Sequence, residues 1–292
     1  MTTRLEFNAL PSAIQVYLKA LTAKRPSLLK AGDSVGRIEA GIDSLAAEPA
    51  KVMAYNEVCG FRDGEHMPPS FPHILAFPLH LAMLSSDAFP IRLPGLVHVG
   101  NRIVQHEPVP LQEPLSIECS LEGHRETDRG QEFDLLTECR IQGRKVWEES
   151  SVFLARKRST AKKTKSKPQP DHPMTSGQNA QIISWEVPAN MGRRYARVSG
   201  DFNPIHLSTP TARLLGFPKA IAHGMWTMAR CAAELDCDWP ALSLEVQFKL
   251  PLFLPSWVSL QFLRASHGIT FRLSDSGGDK PHLEGRTDRL ES

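Results

Sequence analysis

Tyr195 to Ala212 reads YARVSGDFNPIHLSTPTA. Ser199, Gly200, Asp201, Asn203, Pro204 and His206 crowd into eight consecutive positions of it. Asn-Pro marks a turn, and Gly200 permits backbone angles that other residues resist. Asp201 and His206 stand five residues apart on this predicted loop, so one turn can aim both into a single site. A carboxylate beside an imidazole can hold and polarise one water. The pair lacks the ligand count of a structural zinc site. An Asp-x-Asn-Pro alone is most often a helix-entry turn. The histidine in register, and the residues that follow, set this one apart.

Downstream, Gly216-Phe217 leads to Ile221-Ala222-His223-Gly224-Met225. Ile221 to Leu235 (IAHGMWTMARCAAEL) predicts a helix, because Ala222, Met225, Ala229, Ala232, Ala233 and Leu235 lie close to helical spacing. It is apolar on most sides, as expected of a helix wrapped by a sheet. Gly224 lies at its start, where a backbone N–H has no acceptor inside the helix and the dipole favours negative charge. That suits a developing oxyanion.

The elements after this helix repeat an order found earlier in the chain. Leu242 to Leu250 predicts a strand with Leu242, Leu244, Val246 and Phe248 alternating, followed by prolines at 251 and 255 and a strand from Trp257 to Leu263. The earlier copy is an apolar segment Ile74 to Ser85, a strand Leu96 to Val104, prolines at 108, 110 and 114, and a strand Leu115 to Leu121. Matching features are offset by about 142–147 residues. Phe133, Leu135, Thr137, Cys139 and Ile141 alternate as well. Short alternating strands after one buried helix predict an antiparallel α+β unit, here present twice. Near the start, Leu10, Ile14, Tyr17, Leu18 and Leu21 share one face and predict a surface helix packed on the first half.

The chain has 292 residues, 41% of them hydrophobic, which excludes general disorder and fibrous classes. Its net charge of +2 hides an asymmetry. Residues 156–167 (RKRSTAKKTKSK) hold seven Lys or Arg and no acid, leaving the remainder at −5. Pro168, Pro170, Pro173 and Gly177 follow. This predicts two domains, 1–155 and 179–292, joined by a basic, proline-containing linker over 156–178. The linker reads as a solvated hinge. No aromatics interleave with its lysines, so nucleic acid is not expected as a partner. No apolar run approaches the roughly 18 residues that would span a membrane, and the first residues lack the form of a secretory signal. Cys59, Cys119, Cys139, Cys231 and Cys237 are scattered and odd in number, which predicts reduced thiols in a cytoplasm-like compartment.

The stretch from Tyr195 resembles the signature of the MaoC-like dehydratases, the R-specific enoyl-CoA hydratases or hydratase 2 group. That pattern is an aromatic, a spacer, an aliphatic, a small residue, then G-D-x-N-P-aliphatic-H and, five residues on, a small residue. Tyr195, Val198, Ser199, Gly200, Asp201, Asn203, Pro204, Ile205, His206 and Ala212 fill it without a gap. Ile-Ala-His-Gly-Met resembles the family's continuation. The match is strong over residues 195–228, and the rest of 179–292 fits in layout only. The resemblance implies a hot-dog fold, an antiparallel sheet around a long helix. Two in one chain would make a double hot dog, a pseudo-dimer, with a homodimer left open. It also implies reversible hydration of 2-enoyl thioesters with no cofactor, the substrate carried on coenzyme A or acyl carrier protein. Asp201 and His206 would be the catalytic pair, Gly224 N–H would hold the thioester carbonyl, and Asn203 would orient the loop or the water. The first half has Gly64, Glu65 and His66 but no matching spacing, so it corresponds to a non-catalytic half.

Other residues read more plainly. His223 is expected to be structural, its ring bonded near the catalytic loop. Ser199 contacts substrate or caps the turn, and Tyr195 packs. His66, His73, His80 and His98 follow no metal-ligand spacing and read as surface or core histidines, and no metal is expected. Met53 and Met83 read as core. Arg193, Arg194, Arg197 and Lys249 read singly as surface charges, with Arg194 and Lys249 the candidates for the phosphates of coenzyme A. A hot-dog thioesterase and a non-enzymatic acyl-binding module are the alternatives, both disfavoured by the complete Asp201, His206 and Gly224 set.

Overall fold

The computed structural model describes residues 2–7, 9–13, 15–17, 24–157, 180–237 and 239–291. Ile14, Leu18 and Leu21 of the expected leader helix, and 158–178 of the expected linker, lie outside the described residues.

The first half runs β1 (Thr2–Glu6), β2 (Arg37–Leu45), α1 (Pro49–Cys59), α2 (Phe71–Ser85), β3 (Leu96–Gln105), β4 (Leu115–Leu121), β5 (Arg125–Thr127), β6 (Gly130–Ile141) and β7 (Arg144–Arg156). The second runs β8 (Gln181–Val187), α3 (Met191–Ser199), α4 (Pro204–Leu207), α5 (Thr209–Leu214), α6 (Gly224–Leu235), β9 (Leu242–Phe248), β10 (Ser256–Arg264), β11 (Gly268–Asp275) and β12 (Pro281–Arg289). Arg156, expected to open the linker, instead ends β7, and Lys157 N–H donates to Arg129 O.

Each half wraps one helix. α2 (FPHILAFPLHLAMLS) is buried on nearly every side, so it must be enclosed rather than laid on a surface. It starts three residues before the expected Ile74, because Pro72 lies in the first turn, where a missing N–H costs nothing. α6 starts at Gly224, with Ile221 instead forming a bridge to Phe253. The sheet supplies the enclosing surface by alternation. In β4 Leu115, Ile117, Cys119 and Leu121 turn inward, and in β6 Phe133, Leu135, Cys139 and Ile141 do the same. Burying each such side chain contributes about 1.5–3 kcal/mol.

The two expected sheets share a strand pair. The order is β1-β2-β4-β6-β7-β3-β9-β12-β11-β10-β8, with β5 beside β6. β3 pairs antiparallel with β9 from Gly100–Gln247 to Gln105–Leu242, so one sheet spans both halves. β1 pairs with β2 in parallel, a departure from the antiparallel expectation at one edge. α1 leans on the second half: Trp226 Nε1 donates to Val58 O at 3.0 Å, and the Tyr55 and Tyr195 rings lie 6.1 Å apart. Met53, expected in the core, is 54% exposed on α1, whereas Met83 is fully buried. No helix among the described residues is long and apolar enough to cross a membrane.

Polar groups sit between α2 and its sheet. His73 Nδ1 lies 2.8 Å from Glu149 Oε1, Asn101 Nδ2 donates to that oxygen at 2.5 Å, and His80 Nε2 lies 2.7 Å from Thr137 Oγ1. Burial pushes Glu149 up, but His73, His80 and Asn101 outweigh it and bring the carboxyl down to about 2. Burial drives His80 down to about 3 and His98 to about 4, with the neighbouring His73 adding to both.

These shifts set an acid limit. The folded chain keeps His80 and His98 neutral, while the unfolded chain protonates them below about 6.5. Each should therefore remove up to about 1.4 kcal/mol of stability per pH unit as pH falls from 6.5 toward 4. Urea unfolding across that range should show the loss, and it should shrink in His98→Phe.

Candidate active site

α3 ends at Gly200, whose φ of +78° closes the helix in the left-handed region. The chain turns there and delivers Asp201, and Asn203 then caps α4, its Oδ1 accepting Ile205 N–H at 3.4 Å. The stretch expected as one loop is thus helix, turn and short helix, with His206 on α4. Asp201 N–H donates to Ser199 Oγ at 3.1 Å, so Ser199 caps the turn, and Asn203 N–H donates to Asp201 Oδ1 at 3.1 Å.

His206 is anchored from behind. Its Nδ1 lies 2.8 Å from Ile221 O. A carbonyl only accepts, so Nδ1 carries the proton and Nε2 keeps its lone pair. The His223 ring stacks on it, centroids 3.7 Å apart, and the Tyr195 ring lies 4.9 Å from that of His223. His223 Nε2 donates to the backbone oxygen of Asp201 at 3.0 Å and lies 3.8 Å from its Oδ2. Gly224 follows as the first residue of α6, with His223 at the cap. The structure thus brings Asp201, Asn203, His206, His223 and the α6 N-terminus together.

Burial sets the charges. It pushes His206 below the ordinary imidazole value, against Asp201 and the Ile221 carbonyl, and drives His223 down to about 3, with His206 adding to the effect. Burial raises Asp201, but His223, His206, a tyrosine hydroxyl and Asn203 N–H together leave it below the ordinary aspartate value. At neutral pH the site holds a carboxylate beside two neutral imidazoles, with one lone pair at His206 Nε2.

Among the described residues, two triads bring metal-type ligand atoms within 4.8 Å: Asp201, His206 and His223, and His73, His80 and Glu149. In the first, His206 Nδ1 and His223 Nε2 are committed to backbone oxygens. In the second, which linear spacing did not suggest, His73 Nδ1 rests on both Glu149 oxygens.

The phosphate candidates lie elsewhere. Arg194 lines a groove of about 400 Å³ with Glu57, Trp185, Met191, Trp226 and Arg230, and lies 3.7 Å from Glu57. Asp201, His206 and Gly224 do not line that groove. Lys249 Nζ lies 3.4 Å from the buried Glu284 carboxylate, so it is not the open surface charge expected. Arg193 donates to Leu207 O at 2.9 Å and ties α3 to the end of α4.

Two residues escaped the sequence reading. Tyr17 hydroxyl donates to Asp201 Oδ1 at 2.6 Å, although the leader was expected to pack on the first half. A hydroxyl within an otherwise apolar face was the one signal available. The other is Gly192, where an added Cβ would stand 1.9 Å from His206 O.

Residues 158–264 match the family model of the MaoC like domain. The chain is 31% identical over 274 residues to 3-hydroxyacyl-thioester dehydratase X of Mycobacterium tuberculosis, covering 94% of this chain and 96% of that protein. The crystal structure of HtdX from that organism superposes with a TM-score of 0.74 at 29% identity, covering 86% of this chain and 100% of the other. A MaoC-like dehydratase from Phytophthora capsici superposes at 0.73 with 16% identity, covering 90% and 98%. A second Mycobacterium tuberculosis protein, described as having a double hotdog fold, superposes at 0.56 with 10% identity, covering 85% and 95%.

Gly192→Ala tests how closely α3 and α4 must approach. The methyl forces α4 away, and urea unfolding should show a loss of about 1–3 kcal/mol. The His206 ring NMR signals should shift in the same variant.

Proposed function

The chain belongs to the MaoC-like dehydratases, and on that premise we propose that it reversibly hydrates 2-enoyl thioesters, in reverse dehydrating (R)-3-hydroxyacyl thioesters. One observation carries the reading: the Asp201 carboxylate and the free His206 Nε2 lone pair stand together beside the N-terminus of α6.

The steps follow from charge. Gly224 N–H receives the thioester carbonyl oxygen, where the helix dipole favours negative charge. Asp201 and His206 hold one water against the β-carbon. His206 Nε2 takes a proton as the water oxygen bonds to that carbon. The π electrons move onto the carbonyl oxygen as an enolate, and Asp201 stabilises the transient imidazolium. The proton then passes to the α-carbon, restoring the thioester and the neutral imidazole. Every atom comes from water and substrate, so this cycle calls on no cofactor. Asn203 and Ser199 orient Asp201, and His223 holds the turn from its backbone.

The same reading assigns residues 179–292 as the catalytic unit, 1–155 as the non-catalytic one and 156–178 as the strap between them. Carriage on coenzyme A or acyl carrier protein, and a cytoplasmic setting, belong to it as well. The free thiols of all five cysteines support a reducing setting.

Asp201→Asn should lower kcat by about 10²–10⁴ while the melting temperature holds. In the wild type, kcat/KM should stay level from pH 8 down to about 6.5 and fall only below it, because His206 and Asp201 both titrate below their ordinary values. Loss of enoyl absorbance from a panel of 2-enoyl-CoAs, without release of free thiol, supports hydration. Thiol release from saturated acyl-CoA would assign a thioesterase instead.

A further inference from the structure

We propose that Tyr17 is a positioning residue for the catalytic carboxylate: its hydroxyl fixes Asp201 Oδ1 and leaves Oδ2 as the oxygen that meets the water. The inference rests on the hydratase reading above.

The two carboxylate oxygens are unequal. Oδ1 takes the Tyr17 hydroxyl at 2.6 Å and Asn203 N–H at 3.1 Å. Those two bonds come from different directions in the chain, one across 184 residues and one from the adjacent turn. Oδ2 has His223 Nε2 at 3.8 Å, beyond hydrogen-bonding range, because that N–H is directed to the Asp201 backbone oxygen. A carboxylate held at one oxygen by two donors cannot rotate freely, so the other oxygen keeps one direction. Near-attack geometry depends on that kind of restraint.

The phenol suits this role chemically. Burial and the neighbouring Asp201 charge push its pKa well above the ordinary tyrosine value, so it keeps its proton at working pH and donates it to the carboxylate. A donor to the ionised carboxyl stabilises that form. Asn203 N–H could be removed only by proline, which would also remove the side chain that caps α4, so Tyr17 is the half of the restraint that can be adjusted alone. The site is thereby completed by a residue of the first half, although the motif lies wholly in the second.

Tyr17→Phe keeps the ring and removes only the donor. In the full-length chain kcat should fall about tenfold, with KM within about twofold and the melting temperature unchanged. The part of the acid limb that belongs to Asp201 should move up by about one pH unit as that carboxyl becomes easier to protonate. Fluorotyrosine at position 17, still a donor, should restore both. An unchanged kcat and acid limb would overturn the proposal. So would a rise in kcat, which would mean that the phenol occupies the place of substrate. A second measurement needs no turnover: ¹³C NMR of the Asp201 carboxyl, assigned by Asp201→Asn, should titrate higher in Tyr17→Phe, and equal titration would also overturn it. If Asp201→Asn is inactive and Tyr17→Phe matches wild type, only this inference fails. If the wild type turns over no 2-enoyl thioester, the function reading fails and the NMR titration still decides the role of Tyr17.

Discussion

Ile221 is bonded to the motif in both directions. Its N–H donates to Ile205 O at 3.1 Å, and its carbonyl takes His206 Nδ1–H at 2.8 Å. On either side, Ala222 N–H donates to Leu252 O and Ala220 O accepts Leu254 N–H. The segment entering α6 is therefore stitched to α4 on one side and to the β9–β10 connection on the other. This fixes the tautomer of His206 and its distance from the helix N-terminus together. In the proposed reaction, it is what holds the lone pair and the Gly224 N–H against one substrate. Burial keeps His206 neutral, while the groups around Asp201 outweigh burial and keep it ionised, and that is the combination able to take a proton from water.

The first half acts on this arrangement from outside. α1 packs against α3, and Trp226 in the first turn of α6 is tied to Val58 O. Tyr17 reaches the carboxylate itself. The motif is local in sequence, but its surroundings are assembled from the whole chain. The buried polar set around Glu149 shows that the first helix is no simple copy of the second. Where α6 begins with a bare glycine, α2 begins with Phe71 and carries His73 onto the Glu149 carboxylate.

The parts legible in the sequence were those governed by local rules. The strand Leu115–Leu121 agrees to the residue, because strict alternation marks a half-buried strand at both ends. α6 and β9 were readable for similar reasons. β2, α1 and β8 were not. In RIEAGIDSL the polar and apolar residues do not alternate cleanly, and PAKVMAYNEVC buries only Val52, Tyr55, Asn56 and Cys59. Asp201 and His206 were visible because their spacing carries the chemistry. Tyr17 was hidden by its separation in the chain. Gly192 was hidden because the atom it must avoid, His206 O, is placed by the fold alone. Lys249 looked like a surface charge because nothing local announces Glu284 across the β9–β12 pair.

The β3–β9 pair has a consequence for solubility. A strand at a sheet edge exposes a row of unpaired N–H and C=O groups, and such rows recruit other chains. Two separate sheets would have four such edges. Joined at β3 and β9, the main path ends at β1 and β8 among the described residues. β1 is guarded by charge, Arg4 reaching Glu39 and Glu118, while β8 carries Ile182 at 65% exposure. Separating the halves would uncover β3 and β9 together, both rich in branched apolar residues. The pairing of the two halves at β3 and β9 thus protects against aggregation as well as uniting the sheet.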